Sequence, residues 1–226
     1  MSSPEPEIWR IALVGGTGPE GRGLAQRLAI AGHTVIIGSR SADRAHDIAF
    51  ELAEACGGKA IITGATNATA VSEADLTVLT IPYSGLLDTL PPLAASLESQ
   101  IVISTIAPIE FREGRPVALT VEVGSAAQEV ARLLPASRIV SAFQTVDAHA
   151  LADLDHELDT DVLVSSDDTE ARRLVVRLAN GIAGVRALSA GRLATSRYVE
   201  ECTALLITLN RIYKSHSGLR ITGVDR

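Results

Sequence analysis

The stretch Ile8-Trp9-Arg10-Ile11-Ala12-Leu13-Val14-Gly15-Gly16-Thr17-Gly18-Pro19-Glu20-Gly21 decides the fold class. Ile8 to Val14 is short, apolar and branched, the pattern of a buried strand. The glycines follow at once. Leu24, Leu28 and Ile30 then recur at roughly helical spacing until Gly32, a helix stop, and Thr34 to Ile37 reads as a second strand. Gly16, Gly18 and Gly21 spell G-x-G-x-x-G. Here the pattern closes a strand and opens a helix inside one βαβ unit, which is the context that marks a dinucleotide site. The glycines permit a tight turn and close backbone approach. The helix N-terminus presents unpaired N–H groups and a positive dipole end to a pyrophosphate. The bland alternative is a glycine-rich turn with no ligand.

The end of the second strand selects the dinucleotide. An NAD site places a carboxylate there for the ribose 2′-OH. This chain has Gly38-Ser39-Arg40-Ser41 and then Arg44, with no carboxylate before Asp43. Guanidiniums and hydroxyls at that point suit a 2′-phosphate, because Arg makes charge-assisted, often bidentate bonds to it. Cations are also mildly unfavourable at a helix start unless an anion meets them. The expected cofactor is NADP(H), with Thr17 adding a hydroxyl in the first turn.

Further strands are expected at Ala60–Thr63, Leu76–Ile81, Ile101–Thr105, Arg138–Phe143, Asp161–Ser166 and Val185–Ser189. Helices are expected at Ala65–Ala74, Gly124–Leu134, from Asp167 to about Asn180, and from about Leu193 to Lys214. Glu110–Thr120 reads as a loop, and Ser215–Arg226 as a polar tail. Pro82 ends a strand on the ligand side of such a sheet, so Tyr83 and the residues around Leu87 are candidates to touch the cofactor, against Tyr83 simply packing on the sheet edge. The alternation of strands and helices predicts an α/β fold: a Rossmann-type, doubly wound, mostly parallel sheet with a small C-terminal α/β domain. Residues 1–145 are expected to form the NADP-binding domain and residues 146–226 the small second domain.

Composition narrows the class. The 226 residues are 46% hydrophobic and 21% charged, a globular balance. The net charge of −7 argues against a general nucleic-acid binder. No apolar run is long enough for a membrane span. Met1–Glu7 lacks the basic-then-apolar pattern of a secretory signal. Cys56 and Cys202 stand apart and form no C-x-x-C, which fits a cytoplasmic chain with free thiols. Asn67-Ala68-Thr69 is a glycosylation pattern that would be idle there. Asp147–Asp161 is acidic and contains His149 and His156, but it lacks a metal-ligand spacing and reads as a solvated segment with no metal. Arg186–Arg226 holds seven Lys/Arg against three Asp/Glu, so Arg192, Arg197, Arg211, Lys214 and Arg220 are candidates to meet an anionic ligand tail.

No nucleophile–base pair, G-x-S-x-G elbow or Tyr-x-x-x-Lys pair is present, so no catalytic residue is expected. Reducing a carbonyl normally needs a positioned acid. Hydride exchange between two bound redox cofactors asks mainly for alignment and dryness.

The Ile11–Gly23 turn, Gly38-Ser39-Arg40, Leu79-Thr80-Ile81-Pro82, Ile139-Val140-Ser141-Ala142, Asp167-Asp168 and the run from Ser196-Arg197 to Leu209-Asn210 occur in that order. Together they resemble the F420-dependent NADP reductase family over almost the whole chain. The resemblance implies reversible hydride transfer between NADP(H) and the deazaflavin coenzyme F420, the deazaflavin lying over the nicotinamide at a cleft between two domains. It places the pyrophosphate turn on Thr17, Gly18, Pro19 and Glu20 beside Gly16, and the 2′-phosphate group on Ser39 and Arg40, with Arg44 where the family can have Lys. Further cofactor contacts fall on Tyr83, Leu87, Ile109 and Ala148. Gln144 stands where the family commonly has a His near the deazaflavin. Gln keeps hydrogen bonding but carries no proton charge, which leaves open an NADPH-dependent reductase of another acceptor (a flavin or an imine). A non-catalytic NADPH-binding protein is the alternative from a different class. A homodimer is the default expectation, from the apolar C-terminal helix.

Overall fold

A computed structural model describes residues 8–58 and 60–224; the Met1–Glu7 reading lies outside them. The glycine turn joins strand β1 (Arg10–Val14) to helix α1 (Pro19–Ile30), and β2 (Thr34–Ser39) and α2 (Ala42–Ala55) follow. Next come β3 (Ile62–Thr66), α3 (Asn67–Ser72), β4 (Leu76–Leu79), α4 (Leu86–Thr89) and β5 (Ile101–Ser104). A hairpin of β6 (Ile109–Arg112) and β7 (Arg115–Ala118) precedes α5 (Ala126–Leu133), β8 (Arg138–Ser141) and α6 (Ala148–Ala152). The chain ends with β9 (Thr160–Val164), α7 (Thr169–Asn180), β10 (Val185–Ser189) and α8 (Ser196–Tyr213).

Among the described residues the main sheet has the order β3-β2-β1-β4-β5-β8, all parallel. That is the doubly wound order, with its crossover point at β1 and β4. β1 is buried on both faces. Ile11 and Leu13 pack with Leu24 and Leu28 of α1 on one side, while Val14 packs with Leu79, Leu86 and Val130 on the other. This is why the strand reads as a continuous apolar run rather than an alternating one. β9 and β10 form a separate parallel pair, tied to the main sheet by an isolated Ser141–Ser165 bridge. Val162, Val164, Leu178 and Val185 belong to the same apolar cluster as Ile11 and Leu13.

Two expectations are corrected. Glu110–Thr120 is not a loop: Ile109–Arg112 and Arg115–Ala118 pair antiparallel. Glu113 and Gly114 both take positive φ at the tip, the geometry of the tightest hairpin turns. Asp147–Asp161 is not merely a solvated run. Asp147 caps α6 by accepting from the N–H groups of His149 and Ala150, and Asp161 is fully buried. The polar tail is in no helix or strand as far as residue 224, and it is tied to the fold: Asp161 N–H donates to Leu219 O and Ile221 N–H donates to the Asp161 carboxylate. The other expected elements shift at their ends; the third strand begins at Ile62 rather than Ala60, and the C-terminal helix proper begins at Ser196.

Candidate functional site

Gly15 takes a positive φ at the end of β1, and the turn bends back so that Gly16 N–H faces Leu13 O and Gly38 O, each at 3.0 Å. A Cβ on Gly16 would stand 2.8 Å from Leu13 Cβ, and one on Gly21 2.6 Å from Gly16 Cα. These glycines let α1 press onto β1. Gly18 differs, because a Cβ there would meet nothing nearer than 3.8 Å. It is the N-cap of α1 and looks into open space. Side chains cap α2, α3, α5, α6 and α7, but none caps α1. Pro19 at the first helical position needs no hydrogen-bond acceptor. An uncapped, glycine-lined helix start is the anion cradle that a pyrophosphate requires.

A cleft of about 850 Å³ opens in front of this turn, lined by Thr17 and Gly18, by Ser39, Arg40 and Arg44, by Thr66 to Ala68 and by Thr80 to Pro82. Ser39 is buried, and its hydroxyl accepts from Ser41 N–H at 3.3 Å. Ser41 in turn caps α2 by accepting from Arg44 N–H. Arg40, between β2 and the Ser41 cap, and Arg44, in the first turn of α2, thus stand together at the end of β2, both exposed. Among the described residues no carboxylate pairs with either guanidinium. Two unpaired cations on the rim of a cleft with an anion cradle at its floor fit a dinucleotide carrying a 2′-phosphate.

A second cavity, of about 230 Å³, is lined by Glu20, by Gln144 to Ala148 and by Thr203, Leu206, Ile207 and Asn210 of α8. Among the described residues, the buried side-chain polar atoms without a hydrogen-bond partner are Glu20 Oε1, Gln144 Oε1 and Ser104 Oγ. Burial pushes the Glu20 carboxyl up to about 7, against the opposing effect of its hydrogen bond with Thr105. Gln144 is 5% exposed; its Nε2 donates to Ser104 O at 2.9 Å and to Ser141 Oγ at 2.7 Å. Its main-chain carbonyl accepts from the Thr203 hydroxyl at 2.9 Å, which ties the end of β8 to α8. Phe143, just before it, is held at φ 74°, a costly conformation for an aromatic residue.

Of the residues expected from sequence, the structure brings Thr17, Gly18, Ser39, Arg40 and Arg44 to the larger cleft, and Glu20, Gln144 and Ala148 to the smaller cavity. Gly16 lies beneath the turn. Tyr83, Leu87 and Ile109 line neither. Tyr83 donates its hydroxyl to Glu129 at 2.6 Å, and burial, together with that carboxylate, pushes the phenol up to about 12. Leu87 is exposed. The basic end is largely spent within the fold: Arg192 pairs with Asp167, Arg197 with Glu201, and Arg220 with Asp159 and Asp161, while Arg211 donates to Gly114 O. Asn67 was missed as a site residue. Its Oδ1 accepts from Gly15 N–H at 3.2 Å and braces the turn from α3. The usable signal was its place one residue past β3, where strand ends face the crevice. His156 pairs with Asp153, and the His149 ring lies 4.9 Å from that of His216, tilted by 42°. Among the described residues no three His, Cys, Asp or Glu are grouped so as to hold a metal.

This geometry agrees with what the chain is similar to. Residues 10–108 match the family model described as NADP oxidoreductase, coenzyme F420-dependent. The F420-dependent NADP reductase of Methanocaldococcus jannaschii is 42% identical over 222 residues, covering 96% of this chain and 99% of that one. The F420-dependent NADP reductase of Methanothermobacter thermautotrophicus is 38% identical over 223 residues, 96% of each. A solved structure from Arthrobacter, a candidate F420-dependent NADP-reductase, superposes with a TM-score of 0.81 over 95% of this chain and 99% of that one. At 24% identity it speaks for the fold. With full-length relatives at that identity and the family's nucleotide turn in place, the chain belongs to the F420-dependent NADP reductase family.

Proposed function

We propose that the protein transfers a hydride reversibly between NADP(H) and coenzyme F420. The observation that carries the nucleotide half is the uncapped α1 start facing a cleft whose rim bears the unpaired guanidiniums of Arg40 and Arg44. The acceptor half rests on family membership and on the second cavity beside Glu20 and Gln144. When bound, the dihydronicotinamide supplies the hydride. The main-chain N–H groups of Thr17 and Glu20 would hold the pyrophosphate at the start of α1, and Ser39, Arg40 and Arg44 would hold the 2′-phosphate. Gln144 and Ala148 face the acceptor. The protein's task is alignment and exclusion of water.

In this reading residues 1–145 bind the nucleotide, and residues 146–226 complete the acceptor cavity through Val146–Ala148 and α8. The protein works as a cytoplasmic homodimer; among the described residues no helix is long and apolar enough to cross a membrane. Tyr198, Leu205 and Ile212 form an exposed apolar stripe along α8, the face assigned to the dimer contact, and Leu205→Arg should yield monomer by light scattering.

Anaerobic mixing with NADPH and oxidised F420 tests the function. Rapid bleaching of the deazaflavin band, with little from NADH, is expected. Tight NADPH binding without bleaching, but with turnover of a flavin or an imine, would replace the acceptor. Stoichiometric binding with no oxidation under any acceptor would make the protein a nucleotide-binding module.

A further inference from the structure

The nucleotide reading uses only the main chain of Glu20. Its carboxyl has a different setting. It lines the smaller cavity, and its Oε1 is buried and unpartnered. Gln144 lines the same cavity with a second unpartnered oxygen. The amide cannot be reversed to relieve this. Nε2 donates to Ser104 O, and an oxygen in its place would face that carbonyl. A carboxyl and an orphan acceptor on one cavity wall call for a ligand that accepts a proton from the first and offers an N–H to the second.

Among the described residues no counter-charge reaches Glu20 from the elements around it. On α1 itself, Arg22 pairs with Glu51, and Arg27 donates to main-chain carbonyls between residues 150 and 156. Asp147, before α6, is taken by the α6 N–H groups, by Asn210 and by His216. On α8, Glu200 gives its two oxygens to Ala126 N–H and Ala127 N–H. Beyond β5, the neighbour is the neutral Thr105. A carboxyl so placed holds its proton well above the usual carboxylate range, up to about 7.

We propose that Glu20 is the acid–base residue of the hydride transfer, supplying the proton that the acceptor ring consumes on reduction and taking it back on oxidation. The proposal rests on the F420 reading above and deepens it. The step balances. The C–H bond of the dihydronicotinamide breaks, and both electrons travel with the hydrogen into a new C–H bond at a carbon of the acceptor ring. The O–H bond of Glu20 breaks, and its proton forms an N–H bond at the ring nitrogen where the added electron density collects. Glu20 becomes a carboxylate as NADPH becomes the nicotinamide cation NADP⁺, so the buried site keeps its net charge. This also removes the objection that Gln144 carries no proton, because the proton is on Glu20.

The test uses the full chain, wild type and Glu20→Gln, with three readouts. Infrared difference spectra of the nucleotide-free protein should show a protonated-carboxyl stretch that disappears around pH 7 and is missing from Glu20→Gln. Loss of that band already near pH 4–5, as for an ordinary Glu at about 4.3, would overturn the proposal. NADP⁺ affinity of the wild type should rise roughly tenfold between about pH 6 and pH 8 and stay flat in the variant; a flat wild type counts against it. In turnover, F420 reduction by NADPH should fall above about pH 7 and the reverse reaction should rise, while Glu20→Gln loses about 100-fold in kcat with KM for NADPH nearly unchanged. A variant with the wild-type rate and pH profile sinks the proposal. Wild-type protein that binds NADPH yet leaves F420 unreduced refutes the acceptor reading instead, and the infrared band and NADP⁺ linkage then decide on Glu20 alone. If Glu20→Gln does not fold, Glu20→Asp takes its place, and a carboxyl band that moves in frequency and midpoint from the wild type belongs to residue 20 rather than to the buried Glu200; an unmoved band overturns the proposal.

Discussion

Replacing Arg40 with Ala should weaken NADPH binding and spare NADH. In the free protein the Arg40 guanidinium has no carboxylate partner among the described residues, so its removal orphans nothing in the fold. The whole effect then appears in the complex. A charge-assisted bond to phosphate contributes about 1.5–3 kcal/mol. Arg40 is exposed at the cleft rim, where water and salt screen the pair, so the lower end applies. About 1.5–2 kcal/mol corresponds to a 10- to 30-fold rise in Kd. Arg44, one helical turn on and equally exposed, should give a comparable loss, and the double variant roughly 100-fold or more. NADH lacks the 2′-phosphate and should change by less than about twofold. Nucleotide fluorescence or calorimetric titration at two salt concentrations reads this directly. Raising the salt should narrow the NADPH advantage in the wild type and leave the double variant unmoved. Equal losses for NADPH and NADH, or a double variant that still prefers NADPH, would refute the assignment of this rim to the 2′-phosphate.

Three further outcomes follow from the geometry. Gly18→Ala places its Cβ in open space, so thermal stability should stay within about 0.5 kcal/mol while NADPH affinity falls at least tenfold; Gly16→Ala, with a Cβ 2.8 Å from Leu13 Cβ, should cost about 1–3 kcal/mol of stability as well. Identical behaviour of the two in denaturation and titration would contradict the division of labour. The Glu20 carboxyl sits at about 7 in the folded state against 4.5 as its reference. Its folded form therefore holds a proton that the unfolded chain has lost, and wild-type stability should decline as pH rises through that window, by about 3 kcal/mol at most. Glu20→Gln should lack this decline, and urea titrations at about pH 5 and pH 8 with the same slope in both proteins would exclude it. Asp161 is fully buried and accepts from Arg186 at 2.8 and 2.6 Å, from Arg220 at 2.9 Å and from Ile221 N–H at 2.6 Å. Asp161→Ala removes the buried acceptor on which these donors converge, so it should cost about 3–5 kcal/mol and release the C-terminal tail to proteolysis; a tail still protected in the variant would show that other contacts hold it.

The strand–turn–helix at residues 10–30 and the last strand, Val185–Ser189, were legible because both depend on local pattern: a doubly buried apolar run, glycines where a Cβ does not fit, and turn residues on either side. The hairpin at 109–118 was not. Its strands are four residues each, Pro116 interrupts one of them, and Glu113 adopts a positive φ that its side chain does not advertise. Asp161 reads as one more acid in an acidic run, because the Arg186 and Arg220 that neutralise it lie 25 and 59 residues further on. Glu20 is the sharper case. In sequence it is a first-turn acid of α1, ordinarily favourable and solvated. What makes it a proton-holding group is burial against Thr105 and a shared cavity wall with Gln144, and no local pattern encodes either. Tyr83 shows the converse: strand-end position made it a site candidate, and a long-range bond to Glu129 draws it to α5.

The two cavities are set relative to each other by a single helix. The start of α1 forms the floor of the nucleotide cleft, and Glu20, one residue in, forms a wall of the acceptor cavity. Further along, a Cβ on Gly23 would stand 2.5 Å from Leu151 Cβ, so α1 and α6 meet almost backbone to backbone. One turn on, the buried Arg27 guanidinium donates to the carbonyls of Ala150, Leu151, Asp153 and His156. Burial lowers its pKa, but the carbonyls at the end of α6 are the partial negative charges that favour a cation there. A Lys ammonium has three donors and no planar fork to spread over four carbonyls. α6 in turn begins at Asp147, which accepts from Asn210 of α8 at 3.1 Å. Hydride transfer needs its two reacting carbons within about 3–3.5 Å. A chain of direct bonds runs from α1 through Arg27 and Asp147 to α8, and in the proposed reading it is what would hold donor and acceptor in one frame.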